Sequence, residues 1–200
     1  MEFLNPIFYG RIARIVRRGC MLGFVAATCL SGVRAAAGPE PATVSAEYRV
    51  KAGFLFNFPQ FIEWPARAFA TAQAPIVIGV LGEDPFGSYL DELVRGEKVG
   101  GHPIIVRRYR RGDDSADCHI LFISGSEAGQ FPKIVSALAG RSVLTVADED
   151  GFERAGGMVR LAIENGKIRL RINPDAAKAS GLAISSKLLR LAKMITPEKG

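Results

Sequence analysis

Three short and nearly uninterrupted apolar runs, IVIGVLG (76–82), HILFIS (119–124) and VLTVAD (143–148), constrain this chain more than any other feature. A strand with one wet face alternates apolar and polar residues, whereas continuous β-branched runs suit strands buried on both faces, as in a parallel sheet covered by helices. Helical patterns at 86–94 and at 127–138, the latter with Pro132 as a local kink, separate these runs, and IIVRRY (104–109) supplies another strand. Strand, helix and strand at this spacing predict parallel pairing in a layered α/β fold. Further on, MVRLAI and KIRLRIN flank Asn165-Gly166, whose tolerance of positive φ suits the type I′ turn of a hairpin. The expected fold is therefore a three-layer α/β/α sandwich with a mixed, mostly parallel sheet and a C-terminal β-hairpin plus helix. Asn173-Pro174 fits the cap and first turn of a short helix that Gly181 stops. Ile184, Leu188, Leu191 and Ile195 then recur at helical spacing, predicting a terminal helix packed on the sheet with Lys187, Arg190 and Lys193 solvated.

Upstream of the sheet, Val44, Tyr48, Ala52 and Leu55 define a helix that begins near Thr43 and is ended or kinked by Pro59. Phe54, Phe56, Phe58, Phe61 and Trp64, the only tryptophan, fall within eleven residues, too crowded for one helical stripe. They are expected to form a hydrophobic plug over the sheet, closed by Trp64-Pro65. The competing role is a partner-docking or ligand-stacking surface, since these residue types also concentrate binding energy at interfaces.

Residues 1–37 read as a secretory signal. Arg11, Arg14, Arg17 and Arg18 form a basic start, residues 20–30 are apolar but short of the ~20 residues that span a bilayer, and Ala35-Ala36-Ala37 is a small-residue cleavage site. A retained anchor is the competing reading, and Arg17-Arg18 leaves the choice between the general and twin-arginine export routes open. The predicted division is a signal peptide (1–37), a tether and helix start (38–47), one domain (48–196) and a tail (197–200). The whole chain has 26 Lys+Arg against 20 Asp+Glu, but the leader holds five arginines and one glutamate, leaving 21 against 19. So small a surplus removes the electrostatic case for a nucleic-acid partner. Arg107, Arg108, Arg110 and Arg111 remain clustered, more simply the solvated end of a strand than an anion site. Cys20 and Cys29 leave with the leader, so Cys118 is the single remaining thiol, expected as a small core residue.

Catalytic constellations are missing. The two histidines, His102 and His119, offer no zinc set, and neither a HExxH nor a GxSxG pattern occurs. Cys118 and His119 are strand neighbours, so they point to opposite faces and make a poor catalytic pair. The turn at 82–87 lacks a phosphate-loop ending, and Glu83 and Asp84 would repel phosphate. Asp148, Glu149 and Asp150 suit a solvated turn better than a cation site. No catalytic residue, metal or cofactor is expected. The loops after the three apolar runs, by contrast, would gather at the carboxyl ends of parallel strands, where open α/β sheets bind ligands. Gly82, Ser124, Ser126 and Asp148 are the candidates for such a crevice, with helix capping the commoner role for either serine.

Phe58-x-x-Phe61-x-x-Trp64-Pro65 after a helix, Cys118 opening CHILFIS, Gly156-Gly157 before a hairpin, and the GLAISSKLL stretch at 181–189 together resemble the YfiR family of periplasmic regulators. The resemblance runs from about Tyr48 to Ile195. It implies a non-enzymatic periplasmic protein, exported with cleavage near Ala37, that represses a membrane-bound diguanylate cyclase, or a related sensor, by binding its periplasmic domain. Cyclic di-GMP signalling and biofilm formation would fall as a result. The membrane would be reached only through the partner, and a homodimer is left open. Family members often carry disulfides, a feature that a lone Cys118 cannot reproduce within the mature chain. Partner contact is expected at an exposed rim beside the hairpin, at Phe152, Met158, Arg160 and Glu164, with capping of the core the commoner role for Phe152 or Met158 taken alone. The alternative to repression is a periplasmic small-solute binding or sensing module that uses the crevice.

Overall fold

The structure, a computed structural model, describes residues 44–195 apart from 112 and 114. The predicted leader, the tether up to residue 43, residue 196 and the tail lie outside the described residues.

Helix α1 (Ala46–Asn57) starts where Ser45 accepts a hydrogen bond from the Tyr48 N–H at 3.3 Å, with Glu47 in its first turn, where negative charge suits the helix dipole. Its second half, from Lys51 to Asn57, is buried all round. Pro59 then converts the chain to a 3-10 turn, and Phe54, Phe56 and Phe58 are each 7% exposed or less. The aromatic segment is thus the plug that its crowding predicts. It leads into a two-residue strand, β1 (Ile62–Glu63).

The main sheet has eight strands, in the order β10-β8-β7-β6-β5-β2-β4-β3. These are β2 (Ile76–Leu81), β3 (Lys98–Val99), β4 (His102–Tyr109), β5 (Ile120–Ile123), β6 (Leu144–Ala147), β7 (Val159–Glu164), β8 (Lys167–Ile172) and β10 (Lys193–Met194). Strands β4, β2, β5, β6 and β7 run parallel, with antiparallel neighbours at β3 and β8. The mixed α/β sheet of the sequence prediction is therefore present. Side-chain alternation sends Ile78, Val80, Ile120, Phe122, Leu144 and Val146 into one core and Val77, Leu81, Leu121, Ile123 and Ala147 into the other. The first core is roofed by α1 and α2 (Ser88–Val94), the second by α3 (Phe131–Ala137) and the Phe152 turn. Gly79 fits because a Cβ there would lie 2.8 Å from the Tyr109 ring and 2.9 Å from Leu121.

Pro132 marks the start of α3 rather than a kink within a longer helix: residues Gly125–Gln130 form a 3-10 turn before it. The Asn165-Gly166 turn has φ values of 52° and 70°, as a type I′ hairpin requires. Helix α4 (Pro174–Ala179) is capped by Asn173, which accepts from Ala176 N–H at 3.0 Å. The predicted long terminal helix is not formed. The chain instead makes β9 (Ala183–Ile184), one turn of helix, α5 (Ser186–Leu189), and the edge strand β10 parallel to β8. Two tertiary pairings override the local spacing: β9 joins β1 antiparallel, and Ile195 N–H donates to Ile172 O at 2.8 Å.

Candidate functional site

Two regions hold the residues singled out by sequence. The first is the carboxyl end of the parallel strands, where the order reverses on either side of β2, with α2 on one face and α3 on the other. The loops after β2, β5 and β6 meet there, as expected of a doubly wound sheet. Their polar groups, however, engage one another. Gly82, at φ +90°, has Ser126 Oγ only 2.4 Å from where a Cβ would stand, and that oxygen accepts from Glu83 N–H at 3.0 Å. Ser124 caps the following 3-10 turn, its hydroxyl accepting from Ser126 N–H at 3.5 Å. Asp148 is held by Lys51 of α1 at 2.5 Å, with both side chains under 5% exposed. The Lys51 ammonium also lies 4.5 Å from the centre of the Tyr48 ring. Burial, then the Asp148 charge, pushes the Tyr48 hydroxyl far above the ordinary tyrosine range. Capping accounts for the contact of Ser124, a hydrogen bond between loops for that of Ser126, and ion pairing for that of Lys51, although Asp148 Oδ1 is buried without a hydrogen-bond partner.

Three of the four clustered arginines are paired with carboxylates. Arg107 pairs with Asp117, Arg108 with Asp84 and Asp91, and Arg111 with Glu127. The Arg108 hydrogen bond holds the Asp91 carboxyl below its usual range.

The second region is the β7–β8 hairpin with the turn that precedes it. Phe152 is 0% exposed and meets Phe131 edge to face at 5.0 Å. Gly157 packs against the Phe152 ring with no room for a side chain: a Cβ there would stand 2.3 Å from Cε1. Met158 is 6% exposed, and its N–H donates to Thr145 Oγ1 at 3.1 Å. The Arg160 side chain is 7% exposed and lies between Asp150 and Glu153, at 2.6 Å from the latter. The exposed rim expected at Phe152, Met158 and Arg160 is therefore corrected: all three are buried. The Gly156-Gly157 pair lets the turn fold back on the sheet, so Phe152 fills the second core instead of capping it from outside.

Glu164 does reach the surface. Arg171 holds it at 2.6 Å and, by that hydrogen bond, keeps its carboxyl below the usual range. Register places Arg160, Ala162 and Glu164 opposite Arg171, Arg169 and Lys167, a charged ladder on one face of the hairpin. On the other face Ile163 is 55% exposed, and Met194 and Leu191 beside the β10 edge are 64% and 52% exposed. These are three of the four large apolar side chains exposed among the described residues; the fourth, Val50, lies on α1. Strict alternation in KIRLRI carried the signal for Arg169 and Arg171, which the sequence reading passed over. The exposure of Ile163 had no such signal, because it follows from the hairpin tip projecting beyond its covering helices.

Among the described residues there is no cluster of metal-ligating side chains, and no helix is long and apolar enough to cross a membrane. Comparison with curated proteins finds no match. Comparison with protein families matches residues 48–193, nearly all of the described chain, to the family described as YfiR/HmsC-like. The match spans the Phe-x-x-Phe-x-x-Trp-Pro segment, the whole eight-stranded sheet up to Lys193 and the hairpin. The chain belongs to the YfiR/HmsC-like family.

Proposed function

We propose that this protein is a periplasmic regulatory binding protein that holds the periplasmic sensory domain of an inner-membrane diguanylate cyclase in an inactive state. Cyclic di-GMP synthesis on the far side of the membrane is restrained through the partner's conformational equilibrium, so no nucleotide need touch this chain. The observation that carries the proposal is the family match across residues 48–193. The basic and apolar leader followed by Ala35-Ala36-Ala37 supports export.

The hairpin and the β10 edge are the surface we assign to the partner. Glu164, Lys167 and Arg169 supply a charged face, Ile163 and Met194 an exposed apolar one, and β10 an open sheet edge. Phe152, Met158 and Arg160 serve this surface from beneath, by fixing the height of the turn against β7. The test is genetic. Deleting the gene should raise cyclic di-GMP and surface attachment, and deleting the cognate cyclase as well should abolish the rise. Ile163→Asp and Glu164→Lys should each relieve repression while the protein melts normally. An unchanged nucleotide level after deletion, under several growth conditions, would sink the proposal.

A further inference from the structure

Both histidines of this chain close on one phenylalanine. Phe69 stacks on His102 at 4.2 Å between ring centroids and on His119 at 4.7 Å, with interplanar angles of 22° and 29°. It belongs to a strap, residues 65–75, that crosses the amino ends of β4 and β5 before the chain enters β2. No residue of the strap is buried, and its backbone hydrogen bonds among the described residues are internal, from Ala68 to Pro65, Phe69 to Ala66 and Ala74 to Thr71. A segment with so few buried contacts belongs to the low-stability end of a fold. The histidines supply its hold on the sheet: His102 Nδ1–H donates to Ala74 O at 2.7 Å, and His119 carries the other face of the Phe69 ring. Trp64, just ahead of the strap, donates to His119 O at 3.3 Å and meets the imidazole edge-on at 5.9 Å.

His119 is built into this arrangement as a neutral ring. It is 6% exposed, and its Nδ1 accepts from Val77 N–H at 3.1 Å, beside the bond from its own backbone N–H to Val77 O at 2.9 Å. A proton on Nδ1 would set two donors against each other and place a charge in a buried site, so Val77 would lose its acceptor. His102 opposes that charge, and Arg67 and Arg141, which line the cavity beside His119, carry the same sign. Asp117 and the Ala68 carbonyl favour it, but Asp117 is already held by Arg107 and by the Tyr109 hydroxyl. The Cys118 thiol, next in sequence, belongs to the second core and stays neutral. Burial outweighs the favourable groups, and the ring takes a second proton less readily than an ordinary histidine.

We propose that His119 is a proton-operated latch: acidification charges its ring, withdraws the acceptor from Val77 N–H and releases the strap, uncovering Phe69 and Trp64 at the amino ends of the sheet. The His102 bond survives protonation, because Nδ1–H remains the donor, so His119 sets the response. Once the strap opens the ring regains an ordinary pKa of about 6.5, so each pH unit below that shifts the balance up to about ten-fold toward the open form. The latch sits at the opposite end of the parallel strands from the crevice and holds or fails whatever partner the hairpin meets. To test it, the purified protein is taken from about pH 8 to about pH 5, on either side of the ordinary histidine range, at constant ionic strength. Acrylamide quenching reports access to Trp64, the only tryptophan, and NMR follows the His119 ring. Access should rise several-fold with a midpoint below about 6.5 that coincides with His119 protonation, while far-UV circular dichroism stays unchanged. His119→Asn offers Val77 an uncharged oxygen and should give a flat profile, whereas His102→Asn should keep the transition. Phe69→Ala should raise access already at neutral pH. The proposal is overturned if access stays flat while His119 titrates, if the transition survives in His119→Asn or vanishes in His102→Asn, if Phe69→Ala leaves access unchanged, or if circular dichroism collapses over the same range.

Discussion

Lys51→Met tests how α1 is fastened to the sheet. The Lys51 ammonium lies 2.5 Å from Asp148 Oδ2, and the two side chains are 3% and 4% exposed. Its second partner, Glu47, is 39% exposed. Methionine keeps most of the apolar stem, so the loss is electrostatic: Asp148 is left as a buried carboxylate without its cation. Removing one partner of a buried pair costs about 3–5 kcal/mol. For a domain of this size each kcal/mol moves the melting temperature by roughly 2–4 °C, so the variant should melt about 6–20 °C lower. Asp148→Asn should cost less, because Lys51 keeps Glu47, and Glu47→Gln should cost under about 1 kcal/mol, as for other surface pairs. Lys51→Met with Asp148→Leu replaces both charges with apolar groups and should recover most of the loss. Urea midpoints and thermal melts of the four variants measure this. A Lys51→Met protein within about 1 kcal/mol of the parent, or a double variant no better than the single, would refute the account of a buried pair holding the helix.

Three further outcomes are expected. Gly157→Ala should destabilise by about 1–3 kcal/mol in chemical denaturation, because its new Cβ meets the buried Phe152 ring and not because of backbone strain. Burial pushes the Cys118 thiol far above its ordinary range, so a thiol reagent at mildly alkaline pH should leave the folded, leaderless chain unmodified and react fully once guanidinium unfolds it. Burial also lowers the proton affinity of His119 in the folded state, so the unfolded chain binds more protons; stability should be complete above the ordinary histidine pKa of about 6.5 and decline as pH falls through it, with a flatter profile for His119→Gln in pH-resolved urea titrations.

The parts of this fold legible in the sequence are those whose determinants are local. Ile76–Leu81, Ile120–Ile123 and Leu144–Ala147 announce burial on both faces by having no polar face to expose. Asn165-Gly166 and Asn173-Pro174 announce a turn and a cap by their own stereochemistry. The terminal segment misled because Ile184, Leu188, Leu191 and Ile195 have helical spacing, while the partners that break the helix are β1 and Ile172, distant in sequence. Phe152 misled for a related reason. A phenylalanine in a Gly-rich turn carries no mark of which way it faces, and the answer depends on Phe131 and on the backbone of Gly157. The crevice was legible in outline, as three loops at the strand ends, but the reach of Lys51 across to Asp148 was not.

The pairing of β1 with β9 has a consequence for the order in which the domain can be completed. Ile62 bonds in register with Ile184, and Ser185 N–H donates to Phe61 O at 2.8 Å. The aromatic plug near the beginning of the domain is therefore clamped by residues from its far end, more than a hundred positions later. Contacts so distant in sequence form slowly and only after the intervening chain is available. A nascent chain would carry Phe54, Phe56 and Phe58 on a helix whose closing clasp does not yet exist. If the chain is exported as proposed, that delay keeps it threadable until the clasp has been made.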